Sequence, residues 1–170
     1  VGGSIEDSTG NREHPIYDFS LAVERVQAAV EAARALPFPF MLTARAENLL
    51  HGRNDLDDTI KRLQAFEAVG ADVLYAPGVY DAKTIRTVTA SLGKPFNLVM
   101  GFADPTLTVD QIAAAGVKRI STGGAMERHA LNAFLRSARE MKDKGSFSYV
   151  RDMAPVKEVR AAFNGSVPAP

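Results

Sequence analysis

Short apolar runs alternate along this chain with longer stretches in which apolar residues recur every three or four positions. The first run, Ser4-Ile5-Glu6-Asp7, reads as the end of a strand already under way from Val1. From Asp18 to Leu36, the residues Leu21, Val23, Val26, Ala29, Val30 and Ala33 form a stripe at helical period, with Asp18 or Ser20 as candidate caps. Pro37-Phe38-Pro39 stops that helix, and Phe40 to Arg45 follows as a second strand, apolar enough to suggest burial on both faces. A polar loop through His51, Gly52, Arg53 and Asn54 leads to Asp55. There a helix begins in which Ile60, Leu63, Phe66 and Val69 repeat, ending at Gly70.

The alternation continues to the end. Asp72 to Ala76 is expected as the third strand, Asp81 to Leu92 as a helix closed by Gly93, and Pro95 to Met100 as the fourth strand. A short helix over Val109 to Ala115, capped by Thr108 and ended by Gly116, precedes a fifth strand, Lys118 to Ser121. A long helix over Ala125 to Lys144, another over Val156 to Phe163 and a frayed tail from Gly165 complete the chain. Strands separated by helices call for a parallel sheet, because parallel strands need crossovers. Gly70-Ala71-Asp72 and Gly116-Val117-Lys118 repeat the same helix-to-strand joint, which favours a barrel. The expectation is an α/β fold of the (β/α)8 barrel type. This chain covers about the last five β/α units over residues 1–145, with a C-terminal helix and tail over 146–170. No Gly-x-Gly-x-x-Gly follows the first strand, which removes support for a dinucleotide fold.

Composition narrows the picture. Twenty Lys and Arg against 20 Asp and Glu leave no net charge, and hence no electrostatic case for nucleic acid or an anionic membrane. No cysteine occurs, which excludes disulfides, thiolate metal ligands and a thiol nucleophile. No apolar run approaches the roughly 20 residues of a membrane span, and no signal peptide is evident, so a cytoplasmic location is the default. A complete barrel takes about 250 residues. With 170 residues starting at Val1, an N-terminal segment is expected to be missing.

In such a barrel the reacting groups stand at the C-terminal ends of the strands. Those ends supply Glu6, Asp7 and Ser8, then Thr43, Arg45 and Glu47, then Tyr75, then Asn97 and Met100, then Ser121 and Thr122. A strand-end carboxylate such as Glu6 suits a hard cation, directly or through water, and equally suits a turn cap. Arg45 ends an apolar strand, where its planar fork fits a carboxylate or phosphate. The other reading is a structural ion pair with Glu6, Asp7 or Glu47. Ser121-Thr122-Gly123-Gly124 runs from strand into helix, where anions are favoured, though a tight turn explains it as well. Asp55, Asp57 and Asp58 read as helix capping rather than metal binding. Of the three histidines, His129 reads as structural, and His51 sits on a loop near the Arg45 strand end.

Ile5-Glu6-Asp7, Thr43-Ala44-Arg45, Pro95-Phe96-Asn97 and Gly116 to Gly123, in this order, resemble the isocitrate lyase/phosphoenolpyruvate mutase superfamily. The nearest resemblance is to its short phosphoenolpyruvate mutase-like or 2-methylisocitrate lyase-like members. The resemblance extends from Val1 to about Phe163. It implies a Mg2+-dependent lyase or phosphonomutase acting on a 2-oxo acid or phosphonopyruvate-like substrate through an enolate-like intermediate. Glu6 would hold the metal, chiefly through water, with direct ligands N-terminal to this chain. Arg45 would bind the substrate carboxylate or phosphonate and stabilise developing charge, with Asn97, Thr43 and Ser121 as further substrate contacts. It also implies a homo-oligomer, dimer or tetramer, whose C-terminal helix is exchanged between subunits.

Two departures from the family pattern bear on the reaction. Lyases of the family carry a cysteine-bearing gating loop after the Glu-Asp pair, where this chain has Ser8 to Pro15 without cysteine. They also carry a glutamate after the proline of the next strand end but one, where this chain has Pro77-Gly78. A non-catalytic 2-oxo-acid-binding remnant is therefore one alternative. A phosphate-sugar barrel enzyme, motivated by Ser121 to Gly124, is another.

Overall fold

The computed structural model describes residues 1–164. Five strands, β1 (Gly2–Glu6), β2 (Met41–Arg45), β3 (Val73–Tyr75), β4 (Phe96–Val99) and β5 (Arg119–Ser121), form one parallel sheet in sequential order β1-β2-β3-β4-β5. Each crossover is a helix: α1 (Phe19–Arg34), α2 (Leu56–Ala68), α3 (Ala82–Ala90) and α4 (Val109–Ala114). The fold is thus α/β with a five-stranded parallel sheet, and nowhere does the strand order reverse. Backbone compactness divides the chain into one unit over Val1–Ala125 and a second from Met126 onward.

In the first unit the helices bury one stripe against one face of the sheet. Ala22, Val26 and Val30 of α1, Leu63 and Phe66 of α2, and Ile85 and Val88 of α3 join Leu42, Ala44, Leu74, Phe96 and Leu98 in a single core. Each fully buried Leu or Phe here contributes about 1.5–3 kcal/mol over leaving it in water. The strands bury only alternate residues in this core. Leu42, Thr43 and Ala44 of β2 are buried in succession, as its apolar run suggests, while Met41 at its start is 55% exposed.

Local chemistry sets the helix ends. Asp55 accepts from the Asp58 N–H at 2.9 Å, and Asp81 accepts from Lys83 and Thr84 N–H at 2.8 and 3.0 Å. Thr108 and Gln111 form a reciprocal capping box on α4. Asp18 holds the cap position of α1 but makes no side-chain cap hydrogen bond, and Ser20 lies inside the helix. Gly70 and Gly116 take φ of +104° and +94°, the left-handed conformation that turns each helix into its following strand. Gly93 does not close α3, which ends at Ala90 with Ser91 as its C-cap; the Gly93 N–H donates to Glu67 Oε2 at 3.0 Å instead.

The second unit holds α5 (Ala125–Lys144), a 3-10 turn (Ser148–Asp152) that the sequence reading did not anticipate, and α6 (Val156–Phe163). Phe134, Phe147, Met153, Val156 and Phe163 are exposed. The tail from Gly165, expected to fray, lies outside the described residues. No helix among the described residues is long and apolar enough to cross a membrane.

Candidate active site

Successive strand residues point to opposite faces, so the face away from the helices collects every second residue. The parallel register carries one row of side chains across the whole sheet: Glu6 beside Arg45, Arg45 beside Tyr75, Tyr75 beside Asn97, and Asn97 beside Arg119. This face forms an open trough of about 560 Å³ lined by Thr43, Arg45, Tyr75, Asn97, Arg119 and Ser121 among others. Four of the five residues singled out from the sequence therefore share one surface. The fifth, Glu6, lies outside that lining, with its Oε2 3.5 Å from Arg45 Nε.

Arg45 is the best-defined group. Glu47 holds its Nε in a short contact and accepts from its Nη2 at 3.3 Å, and the guanidinium lies 5.0 Å from the Tyr75 ring centroid. The ion pairs with Glu6 and Glu47 that were one reading of Arg45 are both present. They occupy Nε and Nη2 and leave Nη1 without a hydrogen bond among the described residues. Burial pulls the Arg45 guanidinium down, but the hydrogen bond and charge of Glu47 outweigh it, so the cation is held firmly. Burial pushes the Glu47 carboxyl above its ordinary range against the pull of Arg45. Burial likewise raises Tyr75, with Arg45 opposing.

Asn97 is 2% exposed and donates from Nδ2 to Ser121 Oγ at 3.0 Å. Thr43, also buried, accepts from Arg119 Nη1 at 3.4 Å. Arg119 was missed in the sequence, although it stands two residues before Ser121 and so shares its face. His51 reaches the end of β1, its Nε2 3.5 Å from Ser8 Oγ. Asp7, grouped with Glu6 at the strand end, instead turns inward and is buried. Its oxygens pair with the Glu47 N–H at 2.8 Å and with Arg62 Nη1 at 3.1 Å. Asp55 caps α2 as expected, whereas the Asp58 carboxylate pairs with Arg62 Nε at 2.9 Å.

The fit to a divalent cation is limited. Glu6 offers an exposed carboxylate, but no group of three or more His, Asp or Glu among the described residues gathers to hold a metal ion. These residues do not make a magnesium cage by themselves.

The sequential parallel β/α sheet is the fold of 2,3-dimethylmalate lyase, a phosphoenolpyruvate mutase/isocitrate lyase superfamily member that superposes with a TM-score of 0.78 at 24% identity, over 97% of this chain and 59% of that one. Residues 1–142 match the phosphoenolpyruvate phosphomutase family, and the chain belongs to it. A candidate lyase/mutase from Burkholderia cenocepacia J2315 superposes with a TM-score of 0.91 at 56% identity, over 96% of this chain and 59% of that one. Phosphonopyruvate hydrolase in complex with oxalate and Mg2+ shares the fold, with a TM-score of 0.76 at 24% identity over 96% of this chain and 58% of that one. Oxaloacetate decarboxylase of Ectopseudomonas mendocina (strain ymp) is 28% identical over 145 residues, 82% of this chain and 48% of that protein. The chain thus spans about half the length of that curated relative.

Proposed function

We propose that the whole protein is a Mg2+-dependent carbon–carbon lyase or phosphonomutase-type enzyme. It acts on a 2-oxo acid or phosphonopyruvate-like substrate, and this chain supplies the last five units of its (β/α)8 barrel. The observation that carries this reading is the row Glu6–Arg45–Tyr75–Asn97, which sets a clamped guanidinium among polar groups on one face of the sheet. Arg45 binds the substrate carboxylate or phosphonate through Nη1 and stabilises the enolate oxygen as charge develops, in the manner of a preorganised oxyanion donor. Thr43, Asn97 and Ser121 orient the substrate. Glu6 is the carboxylate that would face a bound Mg2+, and the ion would supply positive charge to polarise the 2-oxo group. Glu6 would hold the ion through a water molecule, and the ion's direct ligands would come from elsewhere in the whole protein.

Oxaloacetate is the leading candidate substrate, because decarboxylases acting on it recur among the relatives. Cleavage of its C3–C4 bond releases carbon dioxide and leaves the electron pair in the pyruvate enolate, which takes a proton at C3. NMR product analysis of the full-length protein with Mg2+ and oxaloacetate, methylisocitrate, phosphonopyruvate and phosphoenolpyruvate tests the proposal. Turnover of none of the four would reject it. A second reading, a non-catalytic binder of 2-oxo acids, draws on Gly78. It has φ +96°, and a Cβ there would stand 2.8 Å from Leu49 Cβ, so the turn excludes the glutamate that family lyases carry. Binding without turnover in the same experiment would favour it.

The segment from residue 146 onward is proposed to pack on a second subunit of a dimer or tetramer. The exposure of Phe147, Met153, Val156 and Phe163 supports this. Light scattering that returns a monomer would reject it.

A further inference from the structure

A second arginine, Arg62 on α2, is buried where the proposed chemistry does not reach. Its side chain is 5% exposed. Nη1 donates to Asp7 Oδ2 at 3.1 Å and to the Tyr17 carbonyl at 3.0 Å, and Nε donates to Asp58 Oδ2 at 2.9 Å. The Phe19 ring lies 5.8 Å from its guanidinium carbon. One side chain thus ties together the end of β1, the entry to α1 and the first turn of α2.

The tie leads on to Arg45. Asp7 brackets the end of β2 twice: its N–H donates to the Arg45 carbonyl at 3.1 Å, and its Oδ1 accepts from the Glu47 N–H at 2.8 Å. Asp58, gripped by Arg62, also accepts from Asn48 Nδ2 in a short contact. Glu47 and Asn48 are therefore both anchored, and the Glu47 carboxylate, 2% exposed, holds Nε and Nη2 of Arg45. Every joint between Arg62 and Arg45 is a hydrogen bond with a charged partner or a backbone group. Such joints constrain direction as well as distance.

We propose that Arg62 is a positioning residue for Arg45. Acting through Asp7 and Glu47, it fixes the azimuth of the Arg45 guanidinium, so that Nη1 points to the trough. The energetics favour this over a purely structural role. A buried ion pair adds little net stability over apolar residues of equal volume, whereas a group that must aim a donor needs directional partners. The proposal rests on the reading of Arg45 as the anion-binding group.

The test compares full-length wild type with Arg62→Lys and Arg62→Met. The first readout is solvent exchange of the Arg45 Nε–H in ¹H–¹⁵N spectra, which needs no ligand. The second is calorimetric affinity for oxalate in the presence of Mg2+. Losing one charged hydrogen-bond joint should speed Nε–H exchange by about tenfold or more in both variants. A misplaced guanidinium should weaken oxalate by up to about a hundredfold. Should Arg62→Met fail to fold, Arg62→Lys carries the test, because one ammonium cannot serve Asp7, Asp58 and the Tyr17 carbonyl from the guanidinium's positions. Unchanged Arg45 Nε–H exchange in a folded variant would overturn the proposal. Wild type that binds no oxalate would instead refute the anion-binding reading and leave the exchange comparison to judge the positioning role.

Discussion

Asn97 and Ser121 are joined by a single hydrogen bond, Nδ2 to Oγ at 3.0 Å, while Oδ1 of the same buried amide meets no partner. An unsatisfied buried acceptor costs about 1–3 kcal/mol. The fold holds this one at the strand row where the proposed substrate contacts lie. Replacing Asn97 by Leu, which has the same branching but is bulkier, removes the orphan oxygen toward the open trough and should leave the melting temperature unchanged or higher. Oxalate affinity with Mg2+ should fall. A lower melting temperature with unaltered binding would make Asn97 structural.

Arg45→Lys should lower kcat by roughly 10²–10³, because an ammonium cannot reproduce the fork that Glu47 clamps. Full-length enzyme is needed, and the melting temperature must be followed with kcat/KM. A fallen melting temperature with unchanged turnover per folded molecule would assign Arg45 to stability alone.

Asp72 sets an acid limit on stability. Its burial alone would raise its pKa, but the Leu42 N–H at 2.8 Å and the Arg34 pair at 2.7 Å outweigh that and hold it below the ordinary aspartate range. A carboxyl lowered in the folded state contributes its stability in full above the unfolded value. That contribution is lost as pH falls through the folded one. Asp72→Asn should therefore lower stability at pH 7 and flatten the denaturation curve below about pH 4. Urea titrations at pH 7 and pH 3 that show equal losses would contradict the linkage.

Gly78→Ala should destabilise the domain by about 1–3 kcal/mol through backbone strain, before any clash with Leu49 is counted. Urea denaturation of both proteins measures it. Equal midpoints would show that the turn between β3 and α3 tolerates a side chain.

Much of the frame was legible because its signals are local. Thr108 with Gln111 three residues on, Asp55 and Asp81 before apolar stripes, and Gly70 and Gly116 at the joints all act within one turn of chain. The stripe of α1 was read one position off at its start, for Leu21 is 44% exposed and Ala22 is buried. The small alanine gave no hydropathy contrast there. In the site, Arg45 and Asn97 announced themselves by interrupting apolar strands. Arg62 did not, because Asp58 and Arg62 at i and i+4 look like an ordinary surface pair on a helix. Its decisive partner, Asp7, stands 55 residues away and meets it only through the fold. Glu47 reads from the sequence as a strand-end group and a possible partner of Arg45, but its simultaneous hold by Asp7 depends on how the β1 and β2 ends abut.

The sequential order of the sheet has a consequence for how the chain reaches its native state. Each of the four ladders in the described sheet joins strands one helix apart, so each closes over a single crossover. As synthesis proceeds, β2 can dock on β1 once α1 has emerged, and each later unit finds its template already formed. Arg45 and Glu6 become neighbours at the first of these steps, before Asn97 and Arg119 have been made.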